Sequence, residues 1–125
     1  MAVRDVKELT VYIKAYEGGM SFFEMSKCFP AEERYALTSQ GRRYSRSVCH
    51  NLREAWAKRQ YEAHFVSKLS DCIGENRETD TAIDFARDCG YIRAEDYQNS
   101  LLSANGTPCF LEKDNEGSLS TKCVR

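Results

Sequence analysis

Residues 37–56 combine an apolar face at helical spacing with a high density of arginine. Apolar or small side chains recur at steps of three and four residues, at Leu37, Gly41, Tyr44, Val48, Asn51 or Leu52, and Ala55. That spacing places them on one side of an α-helix. The arginines fall mostly on the other sides, at Arg42, Arg43, Arg46 and Arg53. The segment therefore predicts a bundle helix that buries one face and presents fixed positive charge on its outer surface.

Proline marks the boundary between the first two predicted helices. The first runs from about Val3 to Phe29, and the second from about Ala31 to Ala57. Pro30 disfavours a helical residue before it but fits the first turn of the helix that follows. The apolar stripe predicted for the first helix consists of Val6, Leu9, Ile13, Tyr16, Met20 and Phe23, and it is widened near its end by Phe22, Met25 and Phe29. Gly18 and Gly19 interrupt this helix, and they indicate a bend or a close helix approach.

The third predicted helix runs from about Gln60 to Cys89, and Gly90 ends it in the left-handed conformation. A short fourth helix begins at about Arg93 and reaches Leu102. Short connections between helices favour antiparallel neighbours. The sequence thus predicts an all-α, up-down antiparallel four-helix bundle over residues 1–104, with a shortened fourth helix and an irregular tail over residues 105–125.

Nothing in the chain predicts secretion or membrane insertion. The segment Met1–Lys14 mixes charges with isolated apolar residues, and no window approaches the roughly 20 apolar residues that span a bilayer. The expected location is cytoplasmic. The six cysteines contain no Cys-x-x-Cys pair, and most fall on apolar helix faces. We therefore expect reduced thiols that act as small buried hydrophobic side chains.

Motifs for catalysis are absent from the sequence. A carboxylate di-metal bundle needs Glu-x-x-His on two helices, and this chain has none. His50 and Glu54 at i,i+4 are more typical of a surface pair. Cys49 and its neighbour His50 point in different directions on a helix. Phosphate-binding, nucleophile-elbow and dinucleotide motifs are also missing. We expect no enzyme, cofactor or metal site; a metal-dependent bundle enzyme is the class that fits least.

Positive charge is concentrated in the first half of the chain. Residues 1–61 hold 11 Lys and Arg against 7 Asp and Glu, whereas residues 62–125 hold 7 against 12. The candidate binding residues are Arg42, Arg43, Arg46, Arg53, Lys58 and Arg59. Such a segment is either a solvated bundle surface or a patch that contacts phosphates or an acidic partner. The charge asymmetry also allows self-association through opposite charges.

An ordered run of motifs in these helices resembles a known family. The run comprises Phe29-Pro30 with Glu32-Glu33-Arg34-Tyr35, Leu37-Thr38-Ser39-Gln40 with Arg42-Arg43, Ser47-Val48 with Asn51-Leu52 and Glu54-Ala55, Phe65 with Leu69, and Glu78-Thr79 ahead of Gly90-Tyr91. It is similar to bacterial four-helix-bundle proteins typified by those encoded in intervening sequences of large-subunit ribosomal RNA genes. The accessory variability protein of diversity-generating retroelements is included among them. The resemblance covers roughly residues 5–100.

The resemblance implies an up-down four-helix protomer, a homo-oligomer that is typically a pentamer, and no catalysis. For the retroelement branch it also implies a basic surface that contacts RNA or DNA and a reverse transcriptase. Arg42 and Arg43 are the matching positions, with Arg46 and Arg53 beside them. The leading interpretation is a non-enzymatic oligomer that acts as a binding or adaptor module for nucleic acid or a nucleic-acid enzyme. The alternative is a purely structural self-assembling bundle.

Overall fold

The computed structural model describes residues 4–100, 112–113 and 119–120. Within these residues the chain forms four α-helices, α1 Thr10–Ser26, α2 Ser39–Ala57, α3 Glu62–Asp88 and α4 Ala94–Ser100. The all-α prediction is therefore confirmed. None of these helices combines the length and the apolar character needed to cross a membrane.

A small antiparallel strand pair lies in the tail that was predicted to be irregular. β1, Glu112–Lys113, pairs with β2, Leu119–Ser120. The rest of residues 105–125 and the predicted boundary at residue 104 lie outside the described residues. So does the predicted extension of the fourth helix to Leu102.

The first helix is shorter than predicted at both ends. Val6–Glu8 forms a separate 3₁₀ turn. Leu9 is extended, with ψ 131°, so α1 begins only at Thr10. It ends at Ser26, ahead of Pro30, which favours an extended conformation in the residue before it.

Residues 31–57 are helical throughout, as predicted, but in three geometries. Ala31–Glu33 is a 3₁₀ turn, and Arg34–Thr38 is a π-helical turn that leads into α2. The carboxylate of Glu33 accepts a hydrogen bond from the hydroxyl of Tyr91 at 2.8 Å. This contact ties the entry to α2 to the segment that follows α3.

Polar contacts between α1 and α2 define their relative direction. Near the end of α2, Arg53 donates to the hydroxyl of Tyr12, near the start of α1, at 3.2 Å. Near the start of α2, Arg42 donates to Oγ of Ser26, at the end of α1, at 2.7 Å. The two helices therefore run in opposite directions.

Helix α3 packs along α2 in the same antiparallel sense. The thiol of Cys72 lies 3.6 Å from the carbonyl oxygen of Val48, and Nζ of Lys68 lies 3.0 Å from the carboxylate of Glu54. One core cluster consists of Ala15, Val48, Leu52 and Cys72. The second consists of Phe22, Phe29, Ala82, Ile83 and Ala86. The first cluster joins α1, α2 and α3. The second joins the end of α1 to α3, and Leu37, just before α2, packs against it.

The predicted apolar stripe is confirmed at its two ends, where Val6, Phe22 and Phe29 are buried, and is wrong in the middle of α1. Ile13, Tyr16 and Met20 are 43%, 56% and 45% exposed. The buried face of α1 consists of Ala15, Gly19, Phe22 and Ser26, of which only Phe22 belonged to the predicted stripe. These are mostly small residues, and they let the backbone of α1 approach α2 closely. The number of apolar residues favoured burial of the face with Ile13, Tyr16 and Met20. Close packing between the helices instead buries the face with the smaller side chains.

The ring of Phe22 on α1 packs directly against the backbone of Gly41 on α2. A Cβ atom at Gly41 would overlap the ring of Phe22, which is 1% exposed. A Cβ at Gly19 would meet only the carbonyl oxygen of Ser45, at 3.7 Å. The predicted close approach at the glycine pair is therefore present at Gly19, and α1 continues through both glycines.

We expect the substitutions Gly41→Ala and Gly18→Ala to change stability in opposite directions. The new methyl group at Gly41 would displace the buried ring of Phe22, at a cost of about 1–3 kcal/mol. At Gly18 a Cβ meets nothing within 4 Å, so alanine should stabilise the helix by about 0.5–1 kcal/mol. Denaturant unfolding of both variants checks the prediction. Equal effects at the two positions would contradict the packing described here.

The boundaries of α3 confirm the prediction to within two residues. Gly90 has φ +80°, and the N–H of Tyr91 donates to the carbonyl oxygen of Ala86 at 2.8 Å. These features form the left-handed helix end expected for glycine. Three apolar residues of α3, Val66, Ile73 and Phe85, are exposed. The buried face of α3 is more polar, and it includes Asn76 and Thr79.

Helix α4 is fixed to α3 by its only described aromatic side chain. The hydroxyl of Tyr97 donates to Asp84 at 2.8 Å, and this hydrogen bond raises the pKa of Tyr97. The guanidinium of Arg87 lies over the Tyr97 ring, 4.1 Å from its centroid. Arg93 pairs with Asp96 at the start of α4.

Asp80, one turn before Asp84, should make folding pH-dependent. Burial raises its pKa to about 6; Arg77 opposes this effect and Asp84 adds to it. A carboxyl with a raised pKa binds its proton more tightly in the folded chain, so its contribution to stability is present below about pH 4 and is lost as the pH rises through about 6.

We therefore expect Asp80→Asn to be more stable than the parent at pH 7, by about 1 kcal/mol after allowance for solvent screening. The difference should shrink toward pH 4, where Asp80 carries its proton in the folded parent. Denaturant unfolding at pH 4, 5, 6 and 7 measures it, with the exposed Glu78→Gln as the control variant. If the stability difference instead grows toward low pH, the pKa of Asp80 is not raised in the folded chain.

Candidate nucleic-acid interface

The six predicted site residues divide into two groups. Arg42, Arg43, Arg46 and Arg53 project from α2, whereas Lys58 and Arg59 follow its last residue. All are exposed except Arg42, which is partly buried. The structure brings Arg42, Arg43 and Arg46 together around one hollow, and Arg53 lines a second hollow with Arg46. Lys58 and Arg59 line neither hollow.

A single aromatic ring of α1 organises the arginines at the start of α2. The guanidinium carbons of Arg42 and Arg46 lie 4.7 and 5.9 Å from the centroid of the Phe23 ring. Nζ of Lys27 lies 4.8 Å from the same centroid. Cations are attracted to the face of an aromatic ring. Phe23 therefore holds three cationic groups close together on the surface.

Arg42 also has a structural role that its position outside the apolar stripe of α2 did not predict. Its Nε donates to Oγ of Ser26 at 2.7 Å, and Ser26 is itself buried. Removing Arg42 should therefore weaken the contact between α1 and α2 as well as the surface charge. Arg43 is the better probe of charge alone, because it is exposed and lies over Tyr44 at 5.0 Å within its own helix.

Arg53 is held in place by Tyr12. The guanidinium donates to the Tyr12 hydroxyl at 3.2 Å and lies over the same ring at 5.5 Å. The hydrogen bond raises the pKa of Arg53 further above its ordinary value. The charge is thus permanent at neutral pH, and its position is fixed before any ligand binds.

Trp56 is not an open stacking surface. Arg59 lies over its ring at 4.2 Å and donates to its carbonyl oxygen at 2.8 Å. Lys58 is exposed beside them. We infer that Lys58 and Arg59 form a separate basic end of α2.

Among residues 4–100, none of the six predicted cationic residues forms an ion pair. The one acid in the segment, Glu54, is bound by Lys68 of α3 at 3.0 Å. The arginines instead contact aromatic rings and neutral oxygen atoms, and the nearby acids Asp5 and Glu54 form no salt bridge with them. Such a surface attracts anions, and bidentate guanidinium groups suit phosphate oxygens.

A broad hollow of about 720 Å³ lies among these side chains, and we call it the arginine face. Its cationic and imidazole groups are Arg34, Arg42, Arg43, Arg46 and His50. The predicted site omitted Arg34 and His50. The sequence spacing could have indicated both residues. Arg34 lies about two helical turns before Arg42, and His50 lies one turn after Arg46, so each falls on the same side of the helix as an arginine of the predicted site.

A second hollow, of about 410 Å³, lies between α1 and α2, and we call it the tyrosine groove. Its principal side chains are Tyr12, Tyr16, Met20, Arg46, His50 and Arg53. Arg46 and His50 also line the arginine face, so the two hollows are neighbours on the surface.

The cysteines differ from the prediction in part. Cys72 is buried and Cys49 is partly buried, but Cys28 and Cys89 are exposed; Cys109 and Cys123 lie outside the described residues. Burial raises the pKa of Cys49 to about 11, so its thiol stays protonated at neutral pH. In the part of the chain that is described, no three His, Cys, Asp or Glu residues are grouped in a way that could hold a metal ion.

Together these features define an all-α protein whose arginines on α2 form no salt bridge and lie against partly buried aromatic rings. The model of the family described as 23S rRNA-intervening sequence protein matches residues 7–107. The chain belongs to this family, and the resemblance noted from its motifs is confirmed. No match was found among the curated proteins.

Proposed function

We propose that this protein is a non-enzymatic binding or adaptor module that contacts RNA or DNA through its arginine face. The observation that carries the proposal is the absence of any ion pair to the arginines of α2 within residues 4–100, although acids are frequent on α3. Charges that serve only solubility can lie anywhere on a surface, whereas these are fixed on rings and concentrated on one side.

The proposed functional unit is a cytoplasmic homo-oligomer of up-down four-helix bundles, each with a shortened fourth helix. The family resemblance implies five subunits. Several arginine faces in one assembly would bind a nucleic-acid chain more tightly than one face, because binding at the second face becomes intramolecular. A nucleic-acid enzyme such as a reverse transcriptase is the protein partner that an adaptor role implies.

A purely structural, self-assembling role is the second candidate. It is favoured by apolar side chains that remain exposed on two helices, Ile13, Tyr16 and Met20 on α1 and Val66 and Ile73 on α3. Exposed apolar patches of this kind mark interaction surfaces. In this alternative the protein associates with itself and has no nucleic-acid partner.

Salt-dependent binding separates the two candidates. Fluorescence anisotropy with labelled RNA and DNA oligonucleotides should detect binding at about 50 mM salt. The affinity should fall steeply as salt is raised, because phosphate contacts release counterions. If the protein binds neither nucleic acid at about 50 mM salt, the structural role is the correct one.

A further inference from the structure

The tyrosine groove differs from the arginine face in what it offers a ligand. The arginine face presents charge, whereas the groove combines charge with aromatic and thioether side chains. Its volume of about 410 Å³ lies in the range of about 300–1,000 Å³ typical of small-ligand sites. It is thus large enough for one nucleotide.

Tyr16 is the ring in the groove that is open to a ligand. Its side chain is 56% exposed. The neighbouring Tyr12 is already engaged, since Arg53 both lies over its ring and hydrogen-bonds to its hydroxyl. The two tyrosine rings are 6.3 Å apart and tilted by 34°, so they do not stack flat on each other.

The other walls of the groove suit a flat, mostly uncharged group. Met20 is 45% exposed and offers a flexible, polarisable surface. Cys49 contributes a thiol that is protonated at neutral pH. His50 is exposed and supplies both a hydrogen-bond donor and an acceptor when it is neutral. A nucleobase needs this combination of an apolar slot and a polar edge.

Arg46 and Arg53 both line the groove. They are seven residues apart, which is two helical turns on one side of α2 and about 10 Å along its axis. That separation allows the two guanidinium groups to contact the phosphates on either side of a single nucleotide. Within residues 4–100 neither arginine forms a salt bridge, although Asp5 lies near enough to Arg53 to help raise its pKa.

We propose that the tyrosine groove binds one unpaired nucleobase of a single-stranded nucleic acid, with the base stacked on Tyr16 and the flanking phosphates on Arg46 and Arg53. The strand then continues from the groove onto the arginine face through Arg46 and His50, which line both hollows. This inference rests on the proposed nucleic-acid role and adds a preference for single strands over duplexes.

The test compares a ten-nucleotide single-stranded RNA with a ten-base-pair RNA duplex at the same salt concentration. Stacking on an aromatic side chain is lost on alanine substitution, so Tyr16→Ala should weaken single-strand binding by about tenfold or more. Duplex affinity should change less than about twofold, because the phosphate contacts of the arginine face remain. Tyr16→Phe keeps the ring and should bind like the parent. Met20→Ala should weaken single-strand binding in the same direction but less.

The same experiment distinguishes the ways in which the inference can fail. If the parent protein binds neither RNA, the proposed function fails and the inference fails with it. If the parent binds both RNAs and Tyr16→Ala affects neither or both equally, the inference alone is overturned. If Tyr16→Ala lowers the mass in solution, the groove is an interface between copies of this chain rather than a base site. A single-stranded RNA with 2-aminopurine should lose fluorescence on binding the parent, and it should lose less with Tyr16→Ala.

Discussion

Replacing Arg42, Arg43, Arg46 and Arg53 with glutamine is expected to lower the affinity for RNA by about 10²–10³-fold at about 100 mM salt. Each arginine that contacts a phosphate contributes about one unit to the slope of log K against log salt. The slope should therefore become less negative by about four units. The protein should retain most of its helicity, although the loss of the bond from Arg42 to Ser26 will lower its stability by about 1 kcal/mol.

A control variant removes the same amount of charge elsewhere. Lys14, Arg77, Arg87 and Arg93 lie on other surfaces, and three of them are paired with acids. Their replacement by glutamine should change the slope by less than one unit. If this control loses as much affinity as the first variant, binding follows net charge and the arginine face is not the site. Anisotropy at four salt concentrations gives both slopes.

The positions of α2 and α3 could be predicted because strong local signals mark their ends. Pro30 limits the first helix, and Gly90 is the residue with positive φ that ends α3. The face of α1 could not be predicted in the same way. The face of α1 that is buried carries smaller side chains than the most apolar stripe does. It is buried because Phe22 fills the space beside Gly41, which has no side chain, on α2. That fit depends on two residues that are distant in sequence.

The candidate site was predictable to a similar extent. The density of arginine on α2 identified its basic surface, since exposed charge follows from helical periodicity. The partners of those arginines could not be read in advance, because Phe23 and Tyr12 belong to α1. The tyrosine groove was missed for the same reason. Tyr16 was assigned to a buried stripe, and only the packing of α1 against α2 turns its ring outward.

Self-association is expected to disappear when Val66 and Ile73 are both replaced with aspartate. The two residues are seven positions apart on α3, so they lie on one side of the helix, and they are 51% and 38% exposed. Charges there would prevent burial of this surface against another subunit without disturbing the core of the protomer. Light scattering should show the mass fall from a multiple of 14.3 kDa to that of one chain.

The exposed Ser67 of the same helix provides the matched control, since Ser67→Asp adds charge on a neighbouring side and should leave the mass unchanged. The monomeric variant also tests how assembly and binding are linked. It should keep the salt slope of a single arginine face but bind long RNA more weakly than the parent, because it loses the simultaneous contacts of several faces. If the double variant keeps the mass of the parent, or if the parent is already monomeric at micromolar concentration, this surface of α3 is not a subunit interface.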